Sequence, residues 1–496
     1  MDNHHASSGS GKQLVIAIAV IIAVYILAAA VGLPQKGTEM VVTAHAHAAH
    51  AGGHGDHQDH DHDHKADNDG DKAANHEEHG HEHAAEEGHA DKSAATAATS
   101  GKQKFEHPPL YMVIPFALLL GAIAILPLIP FTEHWWENNK NRFIVAAVLG
   151  TFTLCYYLWF HDYPIEAHWP AHDVVAHNTE GANTGTAFTV LANAILGEYI
   201  PFIMLLFSLY TISGGIRIEG DLKAHALTNS SFIAAGGLLA SFIGTTGAAM
   251  LLIRPLLETN KERKHVKHTV IFFIFVVCNC GGCLLPIGDP PLFLGYLRGV
   301  PFMWTFVLWQ EWLFVNCMLI GVYFLWDHFV CYPKESLPDI VRDETRTTRL
   351  RFSGLWPNAL LLLGVIFSVA LLDPSKAVPG TDWHPWMYIR EIAQLALIAL
   401  SLLLGSAVIR RANNFNYHAI LEVAALFFGI FICMQPPLQI LGIRGPDLGL
   451  TNPMQFFWIT GCLSSVLDNA PTYVVFFETA KTLGGENLVA GVAEHL

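Results

Sequence analysis

The sequence predicts an all-α polytopic membrane protein with two re-entrant hairpins and broken helices, and three observations predict it. Of 496 residues, 52% are hydrophobic and only 14% charged, against about 25% charged in soluble domains. Apolar runs near the ~20 residues that cross a bilayer recur along the chain. One such run is broken from Asn279 to Pro291 by three Gly, three Pro and an Asp. Pro lacks a backbone donor and Gly disfavours helix, so no continuous helix passes through this stretch. Unwound backbone survives at membrane depth only where protein or a watery cavity surrounds it, as in the interrupted helices of secondary transporters.

Residues 1–34 hold a polar lead and the apolar run Leu14 to Leu33, read as an uncleaved transmembrane helix because it exceeds the roughly 7 to 15 residues of a signal-peptide core. Ala28-Ala29-Ala30 is the feature that favours cleavage instead. Residues 35–108 form a His/Asp/Glu-rich insert, too poor in apolar groups to bury a core and so expected to be disordered. Within it His57, His60, His62, His64, His79, His81 and His83 offer weak, non-specific metal chelation; a solvated, proton-buffering tether is the plainer reading. The net charge of −15 gathers there and says little about the membrane part. No basic groove with interleaved aromatics points to nucleic acid. The eight Cys form no regularly spaced framework, and Cys278, Cys280 and Cys283 read as small packers of an unwound segment.

A first repeat, 109–330, holds spans at Leu110 to Pro130, Phe143 to Phe160, Ala187 to Ser213, Thr269 to Val300 and Phe302 to Trp326, with a hairpin over 229–260. A basic linker follows at 331–353. A second repeat, 354–496, holds Leu355 to Leu372, Ile389 to Ile409 and Tyr417 to Met434, then a hairpin over 452–488. Orientation follows Lys and Arg. Lys140, Arg142, Arg217, Lys223, the 261–267 and 334–351 stretches and Arg410-Arg411 mark cytoplasmic loops, with Arg390 and Arg444 as exceptions, while residues 161–186 carry no Lys or Arg. The insert is thereby placed outside.

Basic loops flank the first hairpin on both sides, so it enters and leaves from the cytoplasm; the second does the opposite. Glu198 precedes Thr245-Thr246-Gly247 by nearly the spacing that separates Glu422 from Leu467-Asp468-Asn469, and both hairpins end in Glu-Thr. Opposite threading with matching landmarks is the mark of an inverted-repeat secondary transporter. Counterparts of the last two spans of the first repeat are absent from the second, which is expected to be truncated at its C-terminus.

A charged side chain at mid-membrane depth costs about 2.5 to 3.5 kcal/mol on insertion scales, so it marks an ion path. Asp289 and Asp468 are the leading candidates. Asn279, Asn469, Thr245, Thr246, Ser464, Ser465 and Thr472 supply hydroxyl and amide oxygens suited to a hard cation such as Na⁺. Asp468 reads alternatively as a hairpin cap, and Arg298 as an ion-pair partner of Asp289. Glu198 and Glu422 are weaker candidates for a proton path. Arg254 reads equally as a neutraliser of a buried acid and as an anchor of the hairpin stem.

Ile243-Gly-Thr-Thr-Gly-Ala-Ala-Met-Leu-Leu-Ile-Arg-Pro-Leu-Leu257, Pro286-Ile-Gly-Asp-Pro-Pro-Leu-Phe-Leu294 and Leu463-Ser-Ser-Val-Leu-Asp-Asn-Ala-Pro-Thr-Tyr473 resemble the ion-transporter superfamily, nearest its bacterial sodium:proton antiporter and citrate transporter group. The resemblance covers about residues 108 to 496. It implies paired hairpins meeting broken helices at a midplane site, with Thr245, Thr246, Asn279, Asp289, Asp468 and Asn469 near the ions. The His-rich insert departs from that pattern.

Exchange of Na⁺ for H⁺ across a bacterial inner membrane is the leading expectation, because buried acids take either cation whereas they repel a polyanion unless cations neutralise them. A Na⁺-coupled citrate or carboxylate carrier is the alternative, and a His-rich metal-binding membrane protein the second. The expected partners are Na⁺, H⁺, the lipid bilayer, a carboxylate on the alternative reading, and a second copy of the chain. No nucleotide loop or nucleophile elbow appears, so neither an enzyme nor a cofactor is expected.

Overall fold

The computed structural model describes residues 6–52, 106–170, 173–176, 181–450 and 452–484. Among these, seven helices are long and apolar enough to cross a membrane, or eight if a bent pair counts as one span. The only sheets among the described residues are two short antiparallel pairs. The protein is an all-α multi-pass membrane protein. The His cluster from His57 to His83 lies outside the described residues, as do 485–496.

Helix α1 (Ala6–Ala30) packs its Ile18 against Leu395 and Ile398. It is followed by α2 (Leu33–Gly52). The insert therefore starts as a helix, where disorder was expected from residue 35. Docking explains its first turns: the buried Thr38 hydroxyl bonds Pro385 O at 3.1 Å, and the Met387 amide donates to Thr38 at 2.9 Å.

The first repeat supplies α3 (Ile114–Ile125), α4 (Glu133–Trp136), α5 (Asn139–Trp159), strands β1 (Ile165–Ala167) and β2 (Asp173–Val175), and α6 (Thr184–Ala192). A π-helical turn, Asn193–Tyr199, joins α6 to α7 (Ile200–Ser213). Strand β3 (Arg217–Asp221) leads to the first hairpin, α8 (Ala226–Ile243) and α9 (Thr245–Thr259). Its tip is Gly244 at φ +77°, a backbone conformation glycine adopts without strain. Then come α10 (Lys267–Val277), the unwound stretch, α11 (Pro290–Leu297), α12 (Trp309–Trp326) and α13 (Leu337–Thr345).

Strand β4 (Thr348–Ser353) ends the linker, and residues from 354 on supply α14 (Leu355–Leu371), α15 (Ile389–Leu404), α16 (Ala407–Ala412), α17 (His418–Cys433), α18 (Gln435–Arg444), and the second hairpin, α19 (Pro453–Ser464) and α20 (Asn469–Gly484). The span expected to run from Ile389 to Ile409 stops at Leu404, and Arg410 sits instead on the short α16. There it is buried and bonds Ser401 O at 3.1 Å. The span expected to end at Met434 bends by 41° into α18, because Gln435-Pro-Pro437 puts two residues without N–H donors at the junction.

The basic loops share one end of the molecule. Strand β3 pairs with β4, Arg217 opposite Ser353; Lys261 bridges Asp221 at 2.8 Å; Lys264 bridges Asp339 at 3.1 Å; and Asn139 bonds His418 O at 3.0 Å. The first hairpin opens at this end, its stem closed by reciprocal Asn229–Asn260 amide bonds of 2.9 and 2.8 Å. Arg254 donates from α9 to Ala412 O at 3.0 Å and to Asn413 O, anchoring the stem to the end of α16. Both exceptions to the charge rule are paired: Arg390 is buried against Glu391 at 2.7 Å, and Arg444 meets Asp447 at 3.5 Å. One apolar core runs from α3 and α5 through the first hairpin and α10–α11 to α14, α17 and α20. Gly429 lets α17 approach α5 closely, since a Cβ there would meet Ala146 Cα at 2.7 Å.

Candidate functional site

The unwinding starts at Asn279, whose φ −131° and ψ −87° leave the helical region. A tight 3₁₀ turn, Cys280–Leu284, follows, then extended backbone at Leu285. Helix α11 restarts with two prolines in its first turn, where a missing N–H is harmless, and Asp289 stands at its N-cap in an extended conformation. Gly282 and Gly288 let the two limbs touch, because a Cβ on Gly282 would lie 2.8 Å from Gly288 O. Gly281 crosses α8 at Gly237, whose Cα would lie 2.5 Å from an added Cβ.

Unwinding frees backbone groups that must find partners, and much of that need is met by the protein. Gly281 O accepts from the Ser241 hydroxyl at 2.6 Å and from the Trp312 indole at 3.1 Å. Leu284 O accepts from Thr305 at 3.0 Å, and the Leu284 amide donates to Ser241 at 3.2 Å. Gly288 O accepts from the amide of Thr245 at the tip of the first hairpin, 3.0 Å away. Ser241, Thr305 and Trp312, absent from the sequence-derived candidates, hold the broken segment in place.

Asp289 and Asp468 are both half-buried, and the Asp468 carboxylate contributes to the electrostatic field at Asp289. They come from parts of the chain distant in sequence, the start of α11 and the turn of the second hairpin. The cap reading of Asp468 is also realised: its Oδ1 accepts from the Ala470 amide at 3.2 Å, and its carbonyl accepts from the Thr472 hydroxyl at 2.8 Å. Arg298 does not pair with Asp289. It pairs with Glu198 at 2.7 Å and Glu478 at 3.2 Å, because it caps the far end of α11 while Asp289 caps the near end.

The polar candidates divide. Thr245 is buried at the hairpin tip and tied to Gly288, Thr246 beside it is exposed, and Thr472 is buried beneath Asp468. Asn279 is exposed, and its amide turns back to Ile274 O at 2.9 Å, so it is not gathered with the others. Ser465 is exposed with its hydroxyl on Cys462 O at 2.6 Å. Ser464 and Asn469 flank Asp468 at the turn, half-buried and exposed respectively. Glu422 pairs with Arg142 at 2.7 Å near the basic-loop end. Among the described residues no group of three or more His, Cys, Asp or Glu gathers as a metal site.

A cleft of about 70 Å³ lies between α7, the first hairpin tip, the unwound stretch and α17, lined by Tyr210, Thr245, Thr246, Ile287, Pro290 and Ile420 among others. At roughly 10 to 15 Å³ per water, it admits a few waters or a small cation. The arrangement therefore offers two carboxylates near enough for one to act on the other, a hairpin tip whose Thr245 amide bonds the broken helix, and a small cleft beside Gly288 and Pro290.

No curated protein and no solved structure matches the chain. A family model described as "Putative citrate transport" matches residues 157–495, from the end of α5 through the second hairpin and well over half of the sequence. With that match laid over this fold, the chain belongs to the citrate-transport family so described.

Proposed function

We propose that the protein is a secondary carrier of citrate or a similar carboxylate, coupled to cations held near Asp289 and Asp468. The observation that carries this reading is the family match across both hairpins and the unwound stretch. It favours the carboxylate reading over exchange of Na⁺ for H⁺, which the two acids alone had put first. The chemistry is consistent on one condition: two neighbouring carboxylates repel a polyanion, so cations, Na⁺ foremost, bind with the substrate and cancel that charge. On this reading Thr245, Thr246 and Thr472 supply assisting hydroxyls. The cleft of about 70 Å³ is too small for citrate, so the substrate enters a wider state than this one, as alternating access requires.

Cation exchange without citrate is the second reading, favoured by the field of Asp468 at Asp289. The proposal includes a bacterial inner-membrane setting with the His-rich insert outside, supported by the docking of Thr38 on the loop at Pro385, away from the basic loops.

Labelled citrate uptake into liposomes holding the purified full chain tests this. Uptake that rises with an inward Na⁺ gradient supports the proposal. No citrate uptake, together with a lumenal pH change on adding Na⁺ alone, replaces it with exchange.

A further inference from the structure

Arg298 ends α11 and binds two carboxylates from different parts of the chain: Glu198 in the π-helical turn at 2.7 Å and Glu478 on α20 at 3.2 Å. The Arg298 side chain is 9% exposed, Glu198 16% and Glu478 20%. Two carboxylates sharing one guanidinium leave an excess negative charge in a desolvated place, where an unmatched charge is strongly disfavoured. Two orphaned atoms mark where the matching is incomplete: among the described residues, Arg298 Nη1 and Glu198 Oε2 are buried and find no hydrogen-bond partner. The neighbouring elements add no further positive partner among the described residues: Lys481, three residues beyond Glu478 on α20, is exposed and makes no ion pair, Tyr473 of α20 lies in the field of Arg298 but carries no positive charge, and His418 opens α17 at the basic-loop end. Helices α6, α7 and α17 pack on the Glu198 turn; α6 carries no titratable side chain, the Tyr210 hydroxyl of α7 donates to Asn416 O at 2.7 Å, and Glu422 of α17 is held by Arg142. Helix α18 and the turn after it pack on α20, and their Arg444 and Asp447 pair with each other at 3.5 Å. From α11, Tyr296 donates to Val369 O at 2.8 Å.

We propose that Glu198, Glu478 and Arg298 form a proton-holding site, distinct from Asp289 and Asp468, in which one proton shared by the two carboxylates brings the trio to neutrality. A metal cation suits the place poorly, since no group of three acidic or thiol ligands gathers among the described residues. Glu478 belongs to the second hairpin, whereas Glu198 and Arg298 belong to the first repeat, so gain or loss of the proton alters the tie between them. That consequence for coupling rests on the carrier reading above; the protonation itself does not.

Infrared difference spectra of the full chain in liposomes, recorded through a pH titration, follow the carbonyl band of a buried carboxylic acid. The wild type is expected to show this band. Glu198→Gln and Glu478→Gln are each expected to lose it, because either leaves a single carboxylate matched by Arg298. Glu422→Gln, the control, is expected to keep it. The share of the band that Asp289→Asn and Asp468→Asn remove belongs to those acids; a remaining share equal to the wild type's in either Glu198→Gln or Glu478→Gln overturns the site, and should one of those two variants fail to fold, the other decides alone. In the same liposomes, the pH dependence of citrate uptake is expected to flatten in Glu198→Gln. Loss of the band in protein that moves no citrate refutes the carrier reading and leaves the proton site standing.

Discussion

Asp468 performs two tasks that one substitution can separate. Asn caps a helix about as well as Asp, so Asp468→Asn keeps the acceptor that meets the Ala470 amide while removing the charge that acts on Asp289. Na⁺-stimulated citrate uptake is expected to fall at least ~10-fold, with thermal stability changed by less than ~1 kcal/mol; uptake at the wild-type rate would remove Asp468 from the mechanism. Ser241→Ala tests the other kind of residue. It strips the Leu284 amide of its acceptor and Gly281 O of one donor, an expected loss of about 1–3 kcal/mol, read as a lowered melting temperature in detergent. That Asp289 and Asp468 are half-buried near one another was legible in the sequence to the extent that an ionisable group in an apolar run stands out. Ser241, Thr305 and Trp312 were not, because a hydroxyl or indole becomes significant only when a freed carbonyl is placed opposite it. Arg298 was noticed but given the wrong partner, since sequence proximity to Asp289 concealed that α11 separates the two.

Among elements, the hairpins and spans could be read from apolar runs and their Gly and Pro interruptions, whereas α2, α13 and the β3–β4 pair could not. Those short elements are fixed by contacts distant in sequence, as when Asp343 of α13 accepts from the Ala224 amide at 2.8 Å. The loop before α13 makes a pH prediction. Burial pushes the Glu335 carboxyl up, but the amides of Lys264 and His265, at 3.0 and 2.8 Å, and the Arg263 guanidinium bring it below its ordinary 4.5. A carboxyl lowered by folding contributes stability that is complete above 4.5 and lost as pH falls through its folded value. Melting curves below pH 4.5 are therefore expected to fall more steeply for wild type than for Glu335→Gln, and the variant is expected to be the less stable at neutral pH. Parallel slopes would remove Glu335 as a contributor.

For the molecule as a whole, the strands β3 and β4 have a mechanical meaning. They fasten the chain before the first hairpin to the chain after α13, so residues 222–347 leave and return at a single button at the basic-loop end. The first hairpin, both limbs of the broken helix and α12 all hang from it. Cross-linking that button through Ile218→Cys and Phe352→Cys, which face each other across the strands, is expected to leave citrate uptake within ~2-fold of the reduced protein, with gel mobility reporting the bond. A cross-link that stops uptake would mean the strands part during the cycle. If they stay fastened, the stroke is a pendulum swing of one suspended body, and its widest travel falls at the far face, where α11 meets the second hairpin.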